Sequence, residues 1–385
     1  MKKKKKTVNT LSIILLLAMA FALTLMVFLR LRLGAELLPV VSENPEPSAS
    51  VVVEPVVTQT PEPVEPTPSE EPIVLEPTYY TLSVIGDCTL VSFNGGNDYS
   101  DKMNGDYAYP FSGTIQYFEN DDFTIGNLEC NFSDNSLYSG RTFSFRAPTS
   151  YANILVEGGV DYVTTANNHF DDFGEQGIAD TFAALEAVGM PYGKERETSL
   201  ITTESGLIIG IYCDFSLFEP TVENTVNGIK SLKEQGAEYI ICALHWGYEG
   251  TYHPAQYQID LAHAAIDAGA DLIYGSHAHV LQKTEEYNGG YILYSMGNWS
   301  FGGNTNPRDK DTAIIQITVK RDADGVTISN DDMTIIPCAL SGSTDYNDYR
   351  PVPLSEDDER YQRVLAKLND TWNGADLNID YSAFH

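Results

Sequence analysis

The sequence predicts an α/β domain with helices covering both faces of its sheet, set behind one transmembrane helix and a disordered linker. Three observations lead there. From Tyr79 onward, short apolar runs alternate with amphipathic helical repeats; Leu11 to Leu29 is a run of 19 uncharged residues; and the stretch between them is rich in Pro and Glu. The chain of 385 residues carries 54 acidic against 23 basic side chains, a formal charge of -31. A nucleic-acid partner held by bulk electrostatics is thereby excluded, because a phosphate backbone needs a basic surface.

Seven of the 23 basic residues fall in the first 32 positions, five of them in the consecutive run Lys2 to Lys6. The apolar run that follows is long enough to cross a hydrocarbon core as a helix. Lysines ahead of it favour a cytoplasmic start with the remainder exported, a single-pass protein of the cell membrane with its C-terminal domain extracytoplasmic. Ala18-Met19-Ala20 resembles a signal-peptidase triplet, so a cleaved leader is the alternative; continuation of the run to Leu29 favours an uncleaved anchor. No Lys or Arg occurs between Gly34 and Thr78, and the Glu-Pro and Thr-Pro pairs there describe a solvated spacer. The expected organisation is a Lys-rich tip and anchor over 1–33, a linker over 34–78, the folded domain over 79–340 and a tail with a short helix over 341–385. Cys88, Cys130, Cys213, Cys242 and Cys338 lack paired CxxC spacing and read as buried free thiols, Cys88 with Cys130 being the pair to inspect for a bridge.

Within the domain, strands are expected at Tyr80–Ile85, Phe123–Gly126, Tyr162–Thr165, Leu207–Cys213, Tyr239–Leu244, Leu272–Tyr274 and Tyr291–Met296. Ile178, Phe182, Leu185 and Val188 share one helical face. A second helix opens at Pro254 and turns Ile259, Ala262 and Ile266 inward. Ala313–Val319 and Val326–Ile336 read as an antiparallel hairpin turning at Asp322-Ala323-Asp324-Gly325, and Glu356–Leu368 as a short helix.

The strand ends carry the chemistry. They lead into Gly86-Asp87, Gly126-Asn127-Leu128-Glu129, Ala166-Asn167-Asn168-His169, His245-Trp246-Gly247 and Gly275-Ser276-His277-Ala278-His279. In an open α/β sheet the carboxyl ends of parallel strands lie along one edge, so residues distant in sequence can converge there. An Asp after a strand is usually a cap, and Asn-Asn is often a turn. Carboxylates and imidazoles gathered at five strand ends, however, are costly to bury without a cation among them. Carboxylate, amide oxygen and imidazole without thiolate suit Mn, Fe or Zn, and one or two divalent ions are expected, with Glu129 the natural bridge between two. His253, His263 and His385 fall outside the pattern.

The order of these motifs, continued by Glu249 and by Tyr294-Ser295-Met296-Gly297-Asn298, resembles the CapA family of poly-gamma-glutamate capsule proteins, itself similar to the calcineurin-like metallophosphoesterases. The resemblance implies a four-layer α/β/β/α sandwich of the metallophosphoesterase type with a metal site at one edge. One ion would then be held by Asp87, Glu129 and His279, and the second by Glu129, Asn168, His245 and His277. His169 would take the place of the histidine that stabilises or protonates the leaving oxygen. Asn167, Glu249 and Asn298, in the same motifs, are assigned to substrate binding. One departure stands out: the first motif of the wider superfamily supplies a histidine two residues after its Asp, and Thr89 occupies that place. Asp98 or Asp101 could supply a substitute oxygen. Two functions follow from the resemblance, both with an anionic cell-surface polymer and membrane subunits of a capsule synthase as partners. One is a metal-dependent, phosphoesterase-like hydrolase; the other is a non-catalytic assembly or tethering subunit.

Overall fold

The computed structural model describes residues 76–93, 96–217, 222–377 and 379. The expected anchor, Leu11–Leu29, and nearly all of the linker lie outside the described residues. No helix among the described residues is long and apolar enough to cross a membrane.

In chain order the strands are β1 (Thr78–Thr89), β2 (Phe123–Leu128), β3 (Asn131–Phe132), β4 (Arg146–Ala147), β5 (Tyr162–Thr164), β6 (Tyr192–Gly193), β7 (Thr198–Thr202), β8 (Ile208–Ser216), β9 (Tyr239–Trp246), β10 (Leu272–Ser276), β11 (Thr284–Tyr287), β12 (Gly290–Leu293), β13 (Asn298–Phe301), β14 (Asp311–Arg321), β15 (Ile328–Ala339) and β16 (Val352–Pro353). They form two large sheets and one small one. The first runs β16-β15-β14-β1-β2-β5-β6 with β13 beside β1; the second runs β11-β12-β10-β9-β8-β7; β3 and β4 pair separately.

Alternation within β9 shows how the layers assemble. Tyr239, Ile241 and Ala243 join a core shared with Leu82, Val84 and Ile125 of the first sheet, whereas Ile240, Cys242 and Leu244 meet Ile229, Leu232, Leu261 and Ala265 of the helices Val222–Glu234 and Gln256–Ala268. Such a strand is apolar on both sides because sheet covers one face and helix the other. On the far side, Ile85, Cys88, Leu128 and Val163 of the first sheet meet Ile154, Leu155 and Leu185 of the helices Ala152–Glu157 and Gly174–Ala187. The layers therefore run helix, sheet, sheet, helix.

Several sequence expectations change in detail. Tyr291–Met296 does not run as one strand: β12 stops at Leu293 and Met296 makes an isolated bridge to Leu281, so the chain can turn into β13 beside β1. The helix Gly174–Ala187 buries Gly177, Thr181, Ala184 and Leu185, while Ile178, Phe182 and Val188 are half-buried. Small residues there let the helix approach β3 closely enough for the Phe132 N–H to donate to Thr181 Oγ1 at 3.0 Å. The late hairpin pairs Asp311–Arg321 with Ile328–Ala339. Against it lies the helix Glu359–Leu368, with Val364 and Leu368 buried in the inter-sheet core, and β16 extends the same sheet. All five cysteines are buried and free, so Cys88 and Cys130 form no bridge. Burial pushes the Cys130 thiol up to about 12.

Candidate metal centre

Strand register brings the polar strand ends together. Asp87 of β1 stands opposite Asn127 of β2 and Asn298 of β13, and Ser276 of β10 stands opposite His245 of β9, all in parallel pairs. A Cβ on Gly86 would collide with the Gly297 carbonyl, so a glycine is what lets the Ile85-Gly86-Asp87 and Met296-Gly297-Asn298 segments run side by side. Asp87 N–H then donates to Gly297 O at 2.8 Å.

Two groups of side chains at this edge could each hold a metal ion: Asp87, Glu129 and His279, and Glu129, His245 and His277. In each, the ligand atoms lie within 4.8 Å of one another, and Glu129 is common to both. Asn168 Oδ1 lies beside the second group, 2.8 Å from His245 Nε2. Asp87, Glu129, His245 and His277 are buried; His279, Asn168 and His169 are partly exposed.

The hydrogen bonding has a shortfall that a cation would fill. Glu129 Oε1 is buried and has no hydrogen-bond partner, although it lies 3.6 Å from His245 Nε2 and 3.8 Å from His279 Nε2. Around His245 Nε2 crowd Glu129 Oε1, Asn168 Oδ1 and, at 3.1 Å, His277 Nδ1. One ring proton cannot serve three neighbours, whereas one cation can. The other nitrogen, His245 Nδ1, is engaged by Ser276 Oγ at 2.8 Å and Asn127 Nδ2 at 3.3 Å, which aims Nε2 at the cluster. The donor set of carboxylate, amide oxygen and imidazole fits a divalent ion.

Titration follows the same division. Burial, aided by the neighbouring His277 and His279, holds His245 well below the ordinary imidazole range; burial and His279 pull His277 down to about 3. Both rings are neutral at pH 7, the form that ligates. Burial raises Asp87 and Glu129 above the usual carboxylate range. His279 rises to about 9: burial opposes its charge, but Glu129, Glu249 and Asp87 outweigh burial. His277 and His279 adopt φ of 93° and 55°, a left-handed backbone that is unfavourable for a side chain and lets alternate residues of the loop turn toward the same edge.

His169 sits beside the cluster in a pocket of ≈ 690 Å³ lined also by Asn168, Glu249, His279 and Asn298. Its Nδ1 is 2.9 Å from Asp172 Oδ2, which also accepts from Phe145 N–H at 2.9 Å, so Nε2 is left to the pocket. Arg141 ties this loop down, donating to Asn168 O at 2.8 Å, Asp172 Oδ1 at 3.1 Å and Asp171 Oδ1 at 2.7 Å.

Among the residues assigned to substrate, Asn167 has its side chain engaged within its own loop. It is buried, its amide nitrogen donates to Asn127 Oδ1 and Leu128 O, and its oxygen accepts from His169 N–H, so it shapes the loop and does not line the pocket. Asn298 lines the pocket but also holds His279, 2.8 Å from its Nδ1 and donating to its carbonyl at 3.1 Å. Thr89 is not idle: its hydroxyl donates to Glu129 Oε2 at 3.4 Å, steadying the shared carboxylate. Asp98 and Asp101 are exposed on the helix Asp98–Met103 and belong to neither group. His253 and His263 pair with Asp370 and Glu285, away from the cluster, and His385 lies outside the described residues. Sequence reasoning passed over Asn127, Ser276 and Arg141, whose roles depend on cross-strand register and loop packing.

Fold and site together define a two-sheet α/β protein with a candidate divalent-metal centre at the carboxyl edge of its parallel strands. The chain belongs to the family described as bacterial capsule synthesis protein PGA_cap, which it matches over residues 81–200 and 194–302. It is 25% identical over 322 residues to capsule biosynthesis protein CapA of Bacillus anthracis, covering 77% of this chain and 74% of that one. With PGA biosynthesis protein CapA of Bacillus subtilis it shares 26% identity over 294 residues, 70% of this chain and 74% of the relative. A crystal structure of a Mycoplasma pneumoniae phosphatase aligns with a TM-score of 0.43 at 12% identity, covering 80% of this chain and 99% of that one.

Proposed function

We propose that the protein takes part in synthesis, export or anchoring of a capsule polymer, poly-gamma-glutamate or a related polyanion, as a metal-dependent hydrolase with phosphoesterase-like chemistry. The observation that carries the metal-dependent part is the shared, buried Glu129 whose Oε1 has no partner between two ligand groups. Asp87, Glu129 and His279 would hold one ion; Glu129, Asn168, His245 and His277 the other. Bound there, divalent ions would supply Lewis acidity toward a substrate oxygen and toward water. The remaining work belongs to the chain itself. Ser276 and Asn127 orient His245, and Thr89 orients Glu129. Asp172 fixes His169 through Nδ1, so that Nε2 can hold or deliver a proton in the pocket. Glu249, half-buried on the pocket wall, keeps the local field negative, so an anionic substrate needs the cations before it can approach.

The membrane-anchored, extracytoplasmic placement rests on Lys2 to Lys6 and the apolar run Leu11–Leu29. It suits a partner polymer at the cell surface and contact with membrane subunits of a synthase. Thr89 favours a second reading, a non-catalytic assembly or tethering subunit, because the first ligand group has no second imidazole. Assay of metal-loaded protein on bis(p-nitrophenyl) phosphate and p-nitrophenyl phosphate, beside His169→Ala and Glu129→Ala, separates the two. Turnover lost in both variants supports the hydrolase; metal bound in the wild type without turnover supports the subunit.

A further inference from the structure

The two loop histidines of the metal edge, His277 and His279, keep left-handed backbones with Ala278 between them. A residue with a side chain holds such a conformation only where its surroundings over-determine it. Ladder pairing fixes neither histidine, because β10 ends at Ser276 and the chain next bridges a neighbour at Leu281. Within the site the loop is held by His277 N–H donating to Asp87 Oδ2 at 3.3 Å and by Asn298 Nδ2 donating to His279 O at 3.1 Å. Further support comes from residues 372–377, far beyond the end of the family match at residue 302.

Gly250 is the link. Its N–H donates to Ala278 O at 2.8 Å, and its carbonyl accepts from Leu377 N–H at 2.8 Å. Gly250 has a φ of +72°, and a Cβ there would come within 2.7 Å of Leu377 O, so the backbones can touch because that residue is glycine. Side chains repeat the arrangement. Tyr252, Ala278 and Val280 form a small apolar cluster apart from the main cores, and Trp372 and Leu377 pack against it. The rings of Tyr252 and Trp372 meet edge to face at 6.0 Å, and Asp376 Oδ1 accepts from Tyr252 N–H at 2.8 Å. Without residues 372–377, one side of Ala278 and Val280 would face water and the loop could relax toward ordinary φ values. Alternate imidazoles would then no longer turn toward one edge.

We propose that residues 372–377 form a strap in which Trp372 and Leu377 are positioning residues, holding the loop of His277 and His279 in its ligating conformation without touching an ion. This rests on the metal-centre reading above. Two quantities test it on the full chain: manganese affinity by competition with a chelating dye, and hydrogen exchange of residues 277–281 in chelated protein by mass spectrometry. Trp372→Ser combined with Leu377→Ser weakens manganese binding about ten-fold or more and speeds exchange in that peptide about ten-fold or more. Trp372→Phe with Leu377→Met keeps both within about two-fold of wild type. Leu232→Ala, in a different apolar cluster, costs stability but leaves manganese affinity within about two-fold. Should the serine pair fail to fold, Leu377→Ser alone carries the same expectation at about three-fold. Either quantity unchanged in the folded serine variant, or an equal loss of affinity in Leu232→Ala, overturns the proposal. A wild type that binds no manganese defeats the metal-centre reading instead, while exchange, measured without metal, judges the strap by itself.

Discussion

Two clusters of buried charge lie in this domain, and they are balanced in opposite ways. Around Asp311, acid meets base: Lys367 and Arg363 both donate to it, and burial, which would raise its pKa, is outweighed by those partners, so its carboxyl is held below the usual range. Around Glu129, acid meets acid and neutral imidazole, burial prevails, and Asp87 and Glu129 are pushed up. The first cluster carries its own counter-ions and is complete as folded. The second is short of positive charge, His279 being its one raised imidazole, and a buried carboxylate oxygen without a partner is costly to keep unless something is bound there. The difference separates a charge cluster that is neutralised within the fold from one whose buried oxygen has room for a cation.

The largest effect expected from breaking this contrast is at Glu129. Glu129→Ala removes the carboxylate common to both groups, and His245→Ala removes the most buried imidazole; each leaves less than about a tenth of the wild-type metal content by elemental analysis, with the circular dichroism spectrum retained. Full metal content in either variant would show that the ligands lie elsewhere.

At the balanced cluster the loss is of stability instead. Lys367→Met strips a buried cation from Asp309 and Asp311 and costs about 3 kcal/mol, read from urea unfolding of the chelated protein. Metal content of the folded fraction stays the same. A loss under about 0.5 kcal/mol would mean that Arg363 alone compensates the pair.

A pH series sharpens the comparison further. His279 has its pKa raised in the fold to about 9 from an ordinary 6.5, so the stability it contributes is fully present below about 6.5 and lost as pH rises through 9. Glu129 and Asp87, raised as well, act with the same sign. Asp311, lowered, has the opposite sign: its contribution is present above its unfolded value of 3.8 and lost as pH falls through the folded value. Chelated protein should therefore melt at a lower temperature at pH 9 than at pH 6.5, and His279→Gln should flatten that slope. Added manganese should reverse it, because metal binding needs the deprotonated ligands. A melting temperature independent of pH over this window in the chelated protein would argue against an uncompensated centre.

The smallest effect is at Thr89. Thr89→Val deletes one long hydrogen bond to Glu129 and should weaken metal binding about ten-fold or less by competition with a chelating dye, leaving stability nearly unchanged.

Much of this was legible from residue order. Polar residues at the ends of apolar runs named Asp87, Glu129, Asn168, His245, His277 and His279, since a parallel strand that is apolar on both faces can place such groups only where it leaves the core. The periodicity located the helix Gly174–Ala187 but passed over Gly177 and Thr181, which are buried because small residues allow close approach to β3. At Asn167 the sequence leaves two roles open, since an amide in a motif can bind a ligand or tie its own loop, and the fold gives it three internal partners.

Local chemistry, then, located most of the longer strands and the side chains capable of ligation, because both depend on neighbours in the chain. Pairing of β1 with β13, the sharing of Glu129 between two groups, the counter-ions of Asp311 and the placement of Leu377 against Gly250 were decided by tertiary structure alone. Each joins residues from about 40 to more than 200 positions apart, and at such separations it is packing of the sheets, and no property of the intervening chain, that sets which groups meet.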